Sequence, residues 1–229
     1  MVKPRPLPRV ARRHAAERGD ARARVLRVAL EHFASKGFEG SGLREIAASA
    51  GVTHPLILYH FGSMDGLWRA VVGGLFIEYR SRVQGRLGGL RALDSKTFLK
   101  VAIEDFIRFS MERPELHRIL TMEGRRLTPR LKWLIQTYLK PTFEQTSAVI
   151  VRGQREGSIR PFDPALLYYA MIGLCAAPFA QAPEIEAVTG RRVRAEETVV
   201  ELAKMVATLI FEPGNEVPRA KRRGGKGAR

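Results

Sequence analysis

The stretch from Asp20 to Leu67 constrains the fold of this 229-residue chain more than any other. It contains three helical patterns of apolar residues, and the turn Ala50-Gly51-Val52 separates the second from the third. Glycine adopts a left-handed backbone conformation at little steric cost, so Gly51 permits a tight turn between two helices. The stretch therefore predicts three helices, of which the last two form a helix-turn-helix.

Apolar residues in these helices recur at the spacing of one buried face. They are Leu26, Ala29, Leu30 and Phe33 in the first helix, Leu43, Ile46, Ala47 and Ala50 in the second, and Ile57 and Phe61 in the third. Asp20 is suited to open the first helix and Gly37 to close it, while Thr53 followed by Pro55 is suited to open the third. The opposite face of the third helix is then free to contact another molecule.

Residues 37–67, GFEGSGLREIAASAGVTHPLILYHFGSMDGL, resemble the DNA-binding segment of the tetracycline-repressor (TetR) family of bacterial transcriptional regulators. The resemblance rests on the helix-turn-helix spacing, the pair His60-Phe61 and the helix start at Ser63. It implies a ligand-responsive regulator, most often a repressor, that binds a palindromic operator as a homodimer. Two residues depart from the family pattern. The family often has a tyrosine at the position of Leu58 and usually a lysine at the position of Met64. In the family, that tyrosine and that lysine commonly contact DNA phosphates.

The outer face of the third helix is the candidate DNA-binding surface. Hydroxyl and imidazole groups bond to base edges or phosphates, a leucine can contact a thymine methyl, and arginine suits guanine. The candidate residues are Arg44, Thr53, His54, Pro55, Leu56, Tyr59, His60 and Ser63. For Leu56 and Leu58 the alternative is packing against the first helix.

Positive charge is concentrated at the two ends of the chain. Of the net charge of +16, residues 1–24 carry +6 and residues 213–229 carry +5. Residues 1–19 and 213–229 are therefore predicted to be flexible basic arms that contact a polyanion such as DNA, the alternative being solubilising tails. Residues 20–66 would form the DNA-binding head.

Residues 67–212 read as a helical ligand-binding and dimerisation domain. Helical patterns run from Ser63 to about Arg82, from a cap at Ser95, over 115–123, over 128–157 with a kink at Pro141, from Asp163, and over 194–211. Proline removes a backbone hydrogen bond and crowds the preceding turn, hence the kink. The chain is thus predicted to be all-α, with about nine to ten helices.

Two of these helices suggest a subunit interface. Residues 165–180 are sixteen uncharged residues, fewer than the roughly 20 of a membrane-spanning helix, so burial between two subunits is expected instead. The last helix has two apolar sides, namely Val199, Leu202, Val206 and Leu209, and Val200, Ala203, Ala207 and Ile210. A twofold dimer through the helices near 163–181 and 194–211 follows, with no membrane partner.

Aromatic residues, methionines and one histidine of the second domain are the candidates for an effector pocket. The residues on helices that would surround a pocket are Phe106, Phe109, Met111, His117, Met122, Trp133 and Tyr138, with ordinary core packing as the alternative for each. A largely apolar or aromatic small molecule is expected, since few charges lie among them.

Catalytic, metal and cofactor sites are not indicated. None of the five histidines lies at a metal-ligand spacing from cysteine or carboxylate, and no acid–base or nucleophile pair is evident. A general architectural nucleic-acid binder and a helical enzyme remain as alternative classes. The single Cys175 excludes an internal disulfide, and no secretory signal pattern is seen, so a cytoplasmic protein is expected.

Overall fold

The computed structural model describes residues 9–87 and 94–212, with the backbone alone for 9–19 and 87. Within these ranges the protein has ten helices, which confirms the predicted all-α fold. They are α1 (Arg9–Lys36), α2 (Leu43–Ala50), α3 (His54–Phe61), α4 (Met64–Leu87), α5 (Ser95–Glu112), α6 (Pro114–Glu123), α7 (Pro129–Leu134, Ile135–Leu139 and Lys140–Arg155 in succession), α8 (Pro164–Ala180), α9 (Ala182–Thr189) and α10 (Glu196–Ile210). An isolated antiparallel bridge joins Ile159 to Phe211.

Two apolar clusters hold the helices together. The first contains the inner faces of α1, α2 and α3, and fully buries Phe33, Ile46 and Ile57. It continues through Leu67 and Trp68 of α4 and reaches residues of α5, α6 and α7. The second cluster lies among α5, α7, α8 and α10. Because the first cluster spans both parts of the chain, the head packs directly on the helices that follow it.

The first helix begins at Arg9. The expected start at Asp20 is therefore wrong, and helix replaces the expected flexible arm over residues 9–19. Alanine and arginine are strong helix formers, and residues 9–19 contain seven of them and no proline, so the helix can extend upstream. Residues 1–8 and the predicted tail at 213–229 lie outside the described residues.

The chain accommodates Pro141 by a wider helical turn. A five-residue π-helical segment, Ile135–Leu139, precedes it, and the N–H of Lys140 donates to the carbonyl of Ile135. Such π-bulges are one of the few causes of local irregularity in a helix. Where the sequence predicted a kink at Pro141, the structure has a π-helical segment immediately before it, within α7.

Two further details differ from the sequence prediction. Asp94, and not Ser95, caps α5, because its side chain accepts a hydrogen bond from the Thr97 N–H at 2.9 Å. Ser95 is buried, and its hydroxyl accepts from Arg152 Nε at 2.7 Å. Helix α9 was not predicted, because its eight residues are too few to show a helical spacing of apolar residues distinct from that of the long apolar helix before it.

Gly153 allows α7 to approach the segment that follows it. A Cβ added there would lie 2.8 Å from Ile159 Cγ1 and 3.1 Å from Ser95 Cβ. We expect Gly153→Ala to lower the free energy of unfolding by about 1–3 kcal/mol through overpacking, measured by urea denaturation. Gly74→Ala is the control, because that helical position in α4 has open space around it; equal stabilisation of both variants would contradict the expected clash.

Candidate functional site

The turn between α2 and α3 has the geometry that the glycine predicted. Gly51 adopts φ +64° and ψ 38°, and the N–H of Val52 donates to the carbonyl of Ala47 at 3.0 Å. Thr53 occupies the N-cap position of α3, but its side chain makes no capping hydrogen bond. Thr53 is also exposed, so its hydroxyl is available to a partner outside the protein.

The outer face of α3 is dominated by Tyr59. Its side chain is 73% exposed, whereas Ile57 is fully buried in the head. Leu58 is 38% exposed and so does not pack fully against α1. Among the remaining candidates, Pro55 is exposed, and His54 and Leu56 are half-buried.

His60 does not lie on this outer face. The residue is half-buried, and its Nε2 is enclosed without a hydrogen-bond partner among the described residues. Its ring contacts the edge of Tyr59, with centroids 5.2 Å apart. The expectation that His60 points away from Ile57 is therefore wrong, because position 60 is only one helical turn from position 57 and shares part of its buried side.

Arg44 and Ser63 flank the recognition helix. Arg44 is exposed on α2, and the Ser63 hydroxyl accepts from the Gly66 N–H at 3.0 Å, which caps α4 as predicted. The structure adds Arg22, an exposed residue of α1 whose guanidinium lies 5.4 Å from the centroid of the Phe61 ring. Sequence periodicity alone did not place Arg22 beside α3.

A cavity of about 140 Å³ lies among α4, α5, α6, α7 and α8. Its walls are largely apolar. Three of the seven candidates from the sequence, Phe106, Phe109 and His117, line it. Residues outside that candidate set also line the cavity, among them Phe76, Tyr79, Leu99, Ile103, Arg113, Leu116, Tyr168, Met171 and Cys175.

The other four candidates lie elsewhere. Trp133 meets Trp68 edge-on at 6.0 Å between ring centroids, and Tyr138 stacks on Phe76 at 4.5 Å. Met122 borders a surface cleft between the head and α6, and Met111 packs on the second apolar cluster. Helical spacing identifies an apolar face, but it does not distinguish a face that meets another helix from one that meets a cavity.

Charged groups beside the cavity are paired with one another. Arg113 Nε donates to Glu78 at 3.1 Å, and Arg82 of α4 donates to Glu112 of α5. The hydrogen bond from Arg82 lowers the pKa of Glu112 below its ordinary value. Burial lowers the pKa of His117, which keeps its imidazole neutral over a wider pH range.

A catalytic or metal-binding constellation is not found in the part of the chain that the structure describes. No group of three or more histidine, cysteine, aspartate and glutamate side chains is arranged there to hold a metal ion. Burial raises the pKa of the Cys175 thiol to about 12, which disfavours the reactive thiolate.

Helices α8 and α10 each expose large apolar side chains. Leu166 and Tyr169 of α8 are 72% and 63% exposed, and Met205 and Leu209 of α10 are 47% and 49% exposed. The predicted division of α10 is partly wrong, because Leu202 and Val206 face the core of their own subunit together with Val199 and Ile210. The 3.6-residue period carries Leu209 to the outside and Ile210 to the inside.

Among the described helices, no single one has the length and hydropathy needed to cross a bilayer. Helices α8 and α9 satisfy that requirement only as a pair, and they are bent by 69° relative to each other.

Comparison with known proteins covers both parts of the chain. Residues 25–71 match the model of "Bacterial regulatory proteins, tetR family", and residues 97–210 match "Tetracyclin repressor-like, C-terminal domain". The HTH-type transcriptional regulator RutR of Escherichia coli K12 is 31% identical over 193 residues, which span 82% of this chain and 87% of RutR.

Solved structures share the fold. AibR, in complex with isovaleryl coenzyme A and operator DNA, superposes with a TM-score of 0.68 at 17% identity, covering 85% of this chain and all of that one. The ketosteroid transcriptional regulator KstR2 of Mycobacterium tuberculosis gives a TM-score of 0.67 at 18% identity, covering 84% of this chain and 95% of KstR2.

Proposed function

The chain belongs to the TetR family of bacterial transcriptional regulators, and from that premise we propose how its two parts act together. It is a ligand-responsive regulator that binds double-stranded DNA as a homodimer. We propose that it is a repressor of a palindromic operator and that a small, largely apolar or aromatic molecule in the cavity releases it. We also infer a cytoplasmic location and no enzymatic activity.

One observation carries the proposal: a single helix belongs to both sites. The first turns of α4 place Leu67, Trp68 and Val71 in the core of the head, while Phe76 and Tyr79 farther along line the cavity. Helix α4 is stiff over this length. A ligand that displaces Phe76 or Tyr79 therefore changes the tilt of α4, including its first turns in the head. Its effect on DNA affinity is limited to its own difference in affinity for the two arrangements.

A second contact ties the head to the effector-binding part. Arg130 of α7 donates to Glu39 in the α1–α2 turn at 2.9 Å, and its guanidinium lies 3.6 Å from the centroid of the Phe38 ring. Arg130 also pairs with Glu123 of α6, a helix that contributes Leu116 and His117 to the cavity wall. Through Arg130, a shift of α6 on ligand binding can therefore reach the head without involving α4.

We propose that α3 reads the operator in the major groove. The residues proposed to contact DNA are Arg44, Thr53, His54, Pro55, Leu56, Tyr59 and Ser63, together with the added Arg22. The exposed hydroxyls of Thr53 and Tyr59 suit base edges or phosphates, and Arg22 and Arg44 supply positive charge near the backbone. The basic segments 1–8 and 213–229 are proposed to add salt-dependent affinity.

The proposed function is tested by footprinting on DNA upstream of the protein's own coding region. We expect protection of a palindromic sequence whose half-sites lie about 34 Å apart or a multiple of that distance. Protection should persist in excess nonspecific DNA, because base contacts add to the phosphate contacts. Loss of all protection at modest competitor concentrations would instead favour a general architectural binder.

A further inference from the structure

Two tyrosines on different helices line the cavity. Tyr79 of α4 lies between Phe106 and Phe109, at centroid distances of 5.6 and 5.1 Å. Tyr168 of α8 lies 5.2 Å from Phe143. Their rings thus contribute to an aromatic wall, and each carries a hydroxyl that can donate a hydrogen bond.

Neither hydroxyl has a hydrogen-bond partner among the described residues. Both residues line the cavity, and neither hydroxyl oxygen is among the fully enclosed atoms without a partner. A ligand acceptor could therefore gain a hydrogen bond from either hydroxyl without displacing a protein partner. Burial raises the pKa of Tyr168 to about 12 and also raises the pKa of Tyr79, so both hydroxyls keep the proton that they would donate.

Positive charge at the cavity is already compensated. Arg113 pairs with Glu78 and also donates to the Glu112 carbonyl at 3.4 Å, while Arg86 pairs with the buried Asp105. An anionic ligand would lose its hydration without gaining an unpaired cation, and removing an isolated carboxylate from water is costly. The charge arrangement therefore favours a neutral ligand.

The size of the cavity limits the ligand further. Its volume of about 140 Å³ is close to the roughly 150 Å³ of an engineered apolar cavity that binds benzene. Phe76, Phe106 and Phe109 provide faces and edges against which a ring can pack. A single ring with a short substituent fills the space.

We propose that the cavity binds a neutral, single-ring compound bearing one carbonyl-type acceptor, and that the hydroxyls of Tyr79 and Tyr168 donate to that acceptor. The inference rests on the proposed function in one respect, namely that this cavity is the effector site. It adds the chemical class of the effector and the two side chains that select it.

The test uses three probes of similar shape with the full-length protein in the absence of DNA. Acetophenone carries the acceptor, ethylbenzene lacks it, and benzoate carries a negative charge. By calorimetry or by competition with a fluorescent probe, acetophenone should bind about 5- to 10-fold more tightly than ethylbenzene, as one net hydrogen bond gives. Benzoate should bind most weakly of the three.

The double variant Tyr79→Phe/Tyr168→Phe supplies the residue-level test. The rings remain and the lost hydroxyls have no protein partner, so we expect an unchanged melting temperature and unchanged ethylbenzene binding. Acetophenone affinity should fall to that of ethylbenzene. A ketone preference that survives in this variant, equal wild-type binding of acetophenone and ethylbenzene, no binding of either, or a preference for benzoate would each overturn the inference.

Operator release is measured separately with a labelled operator. Acetophenone that binds as expected but leaves operator affinity unchanged supports the site chemistry and contradicts the proposed coupling. Release of the operator by another class of compound, without ketone binding, supports the proposed function and overturns this inference alone.

Discussion

Replacing Tyr169 of α8 or Leu209 of α10 with aspartate is expected to convert the dimer into a folded monomer and to weaken operator binding by at least about 100-fold. Both side chains are exposed in the single subunit, so the change leaves the fold of that subunit intact. Obligate interfaces such as the one proposed through α8 and α10 bury on the order of 2,000 Å² or more. Each aspartate would be an unpaired charge buried in that interface. The interface holds the two DNA-binding heads at the spacing of the two half-sites, so its loss weakens binding to a palindromic operator.

Analytical ultracentrifugation gives the subunit mass, circular dichroism the helix content, and fluorescence anisotropy the operator affinity. Val188→Asp is the matched control, because Val188 of α9 is 79% exposed but lies outside the proposed face. Leu202→Asp should unfold the subunit, since Leu202 is buried within it. A dimer that persists in both the Tyr169 and Leu209 variants would place the interface elsewhere.

Tyr59→Ala is expected to weaken specific operator binding by about 30-fold or more while leaving the melting temperature unchanged. Tyr59 is the most exposed large side chain of α3, and each specific base contact contributes about 1–3 kcal/mol of discrimination. The dimer carries two copies of Tyr59, so the loss of binding free energy is twice that of a single contact. Nonspecific binding should change little, because phosphate contacts from other residues supply most of it.

Anisotropy with operator and scrambled DNA measures both affinities, and differential scanning calorimetry measures stability. Tyr59→Phe separates the hydroxyl from the ring. Ile57→Ala is the contrasting change on the buried face and should destabilise the head by about 2–5 kcal/mol. Equal loss of affinity for operator and scrambled DNA in Tyr59→Ala would show a backbone contact in place of base readout.

Local signals in the head were sufficient for its helices. Gly51, the capped start at Ser63 and the apolar spacing of Ile46 and Ile57 each depend on interactions within a few residues along the chain. Propensity also explains the upstream error, because the alanines and arginines before Asp20 favour helix, whereas net charge suggested an arm.

The cavity was much less predictable. Of the candidates, Phe106, Phe109 and His117 line the cavity, whereas Trp133 and Tyr138 pack against α4. All five lie on apolar helix faces, so composition and period are alike for them. The difference arises from how five helices leave a gap, which depends on contacts between residues far apart in sequence.

The sequence by itself determined the helical class, the helix-turn-helix and the resemblance to a family, since these depend on the 3.6-residue period and on glycine and capping residues at fixed spacing. Only the tertiary structure decided which side of α10 is buried in its own subunit, that His60 turns inward, and that Tyr79 and Tyr168 meet at one cavity. The spacing of apolar residues indicates that a helix face is buried. Which helix or cavity that face meets depends on packing between helices that are distant in sequence.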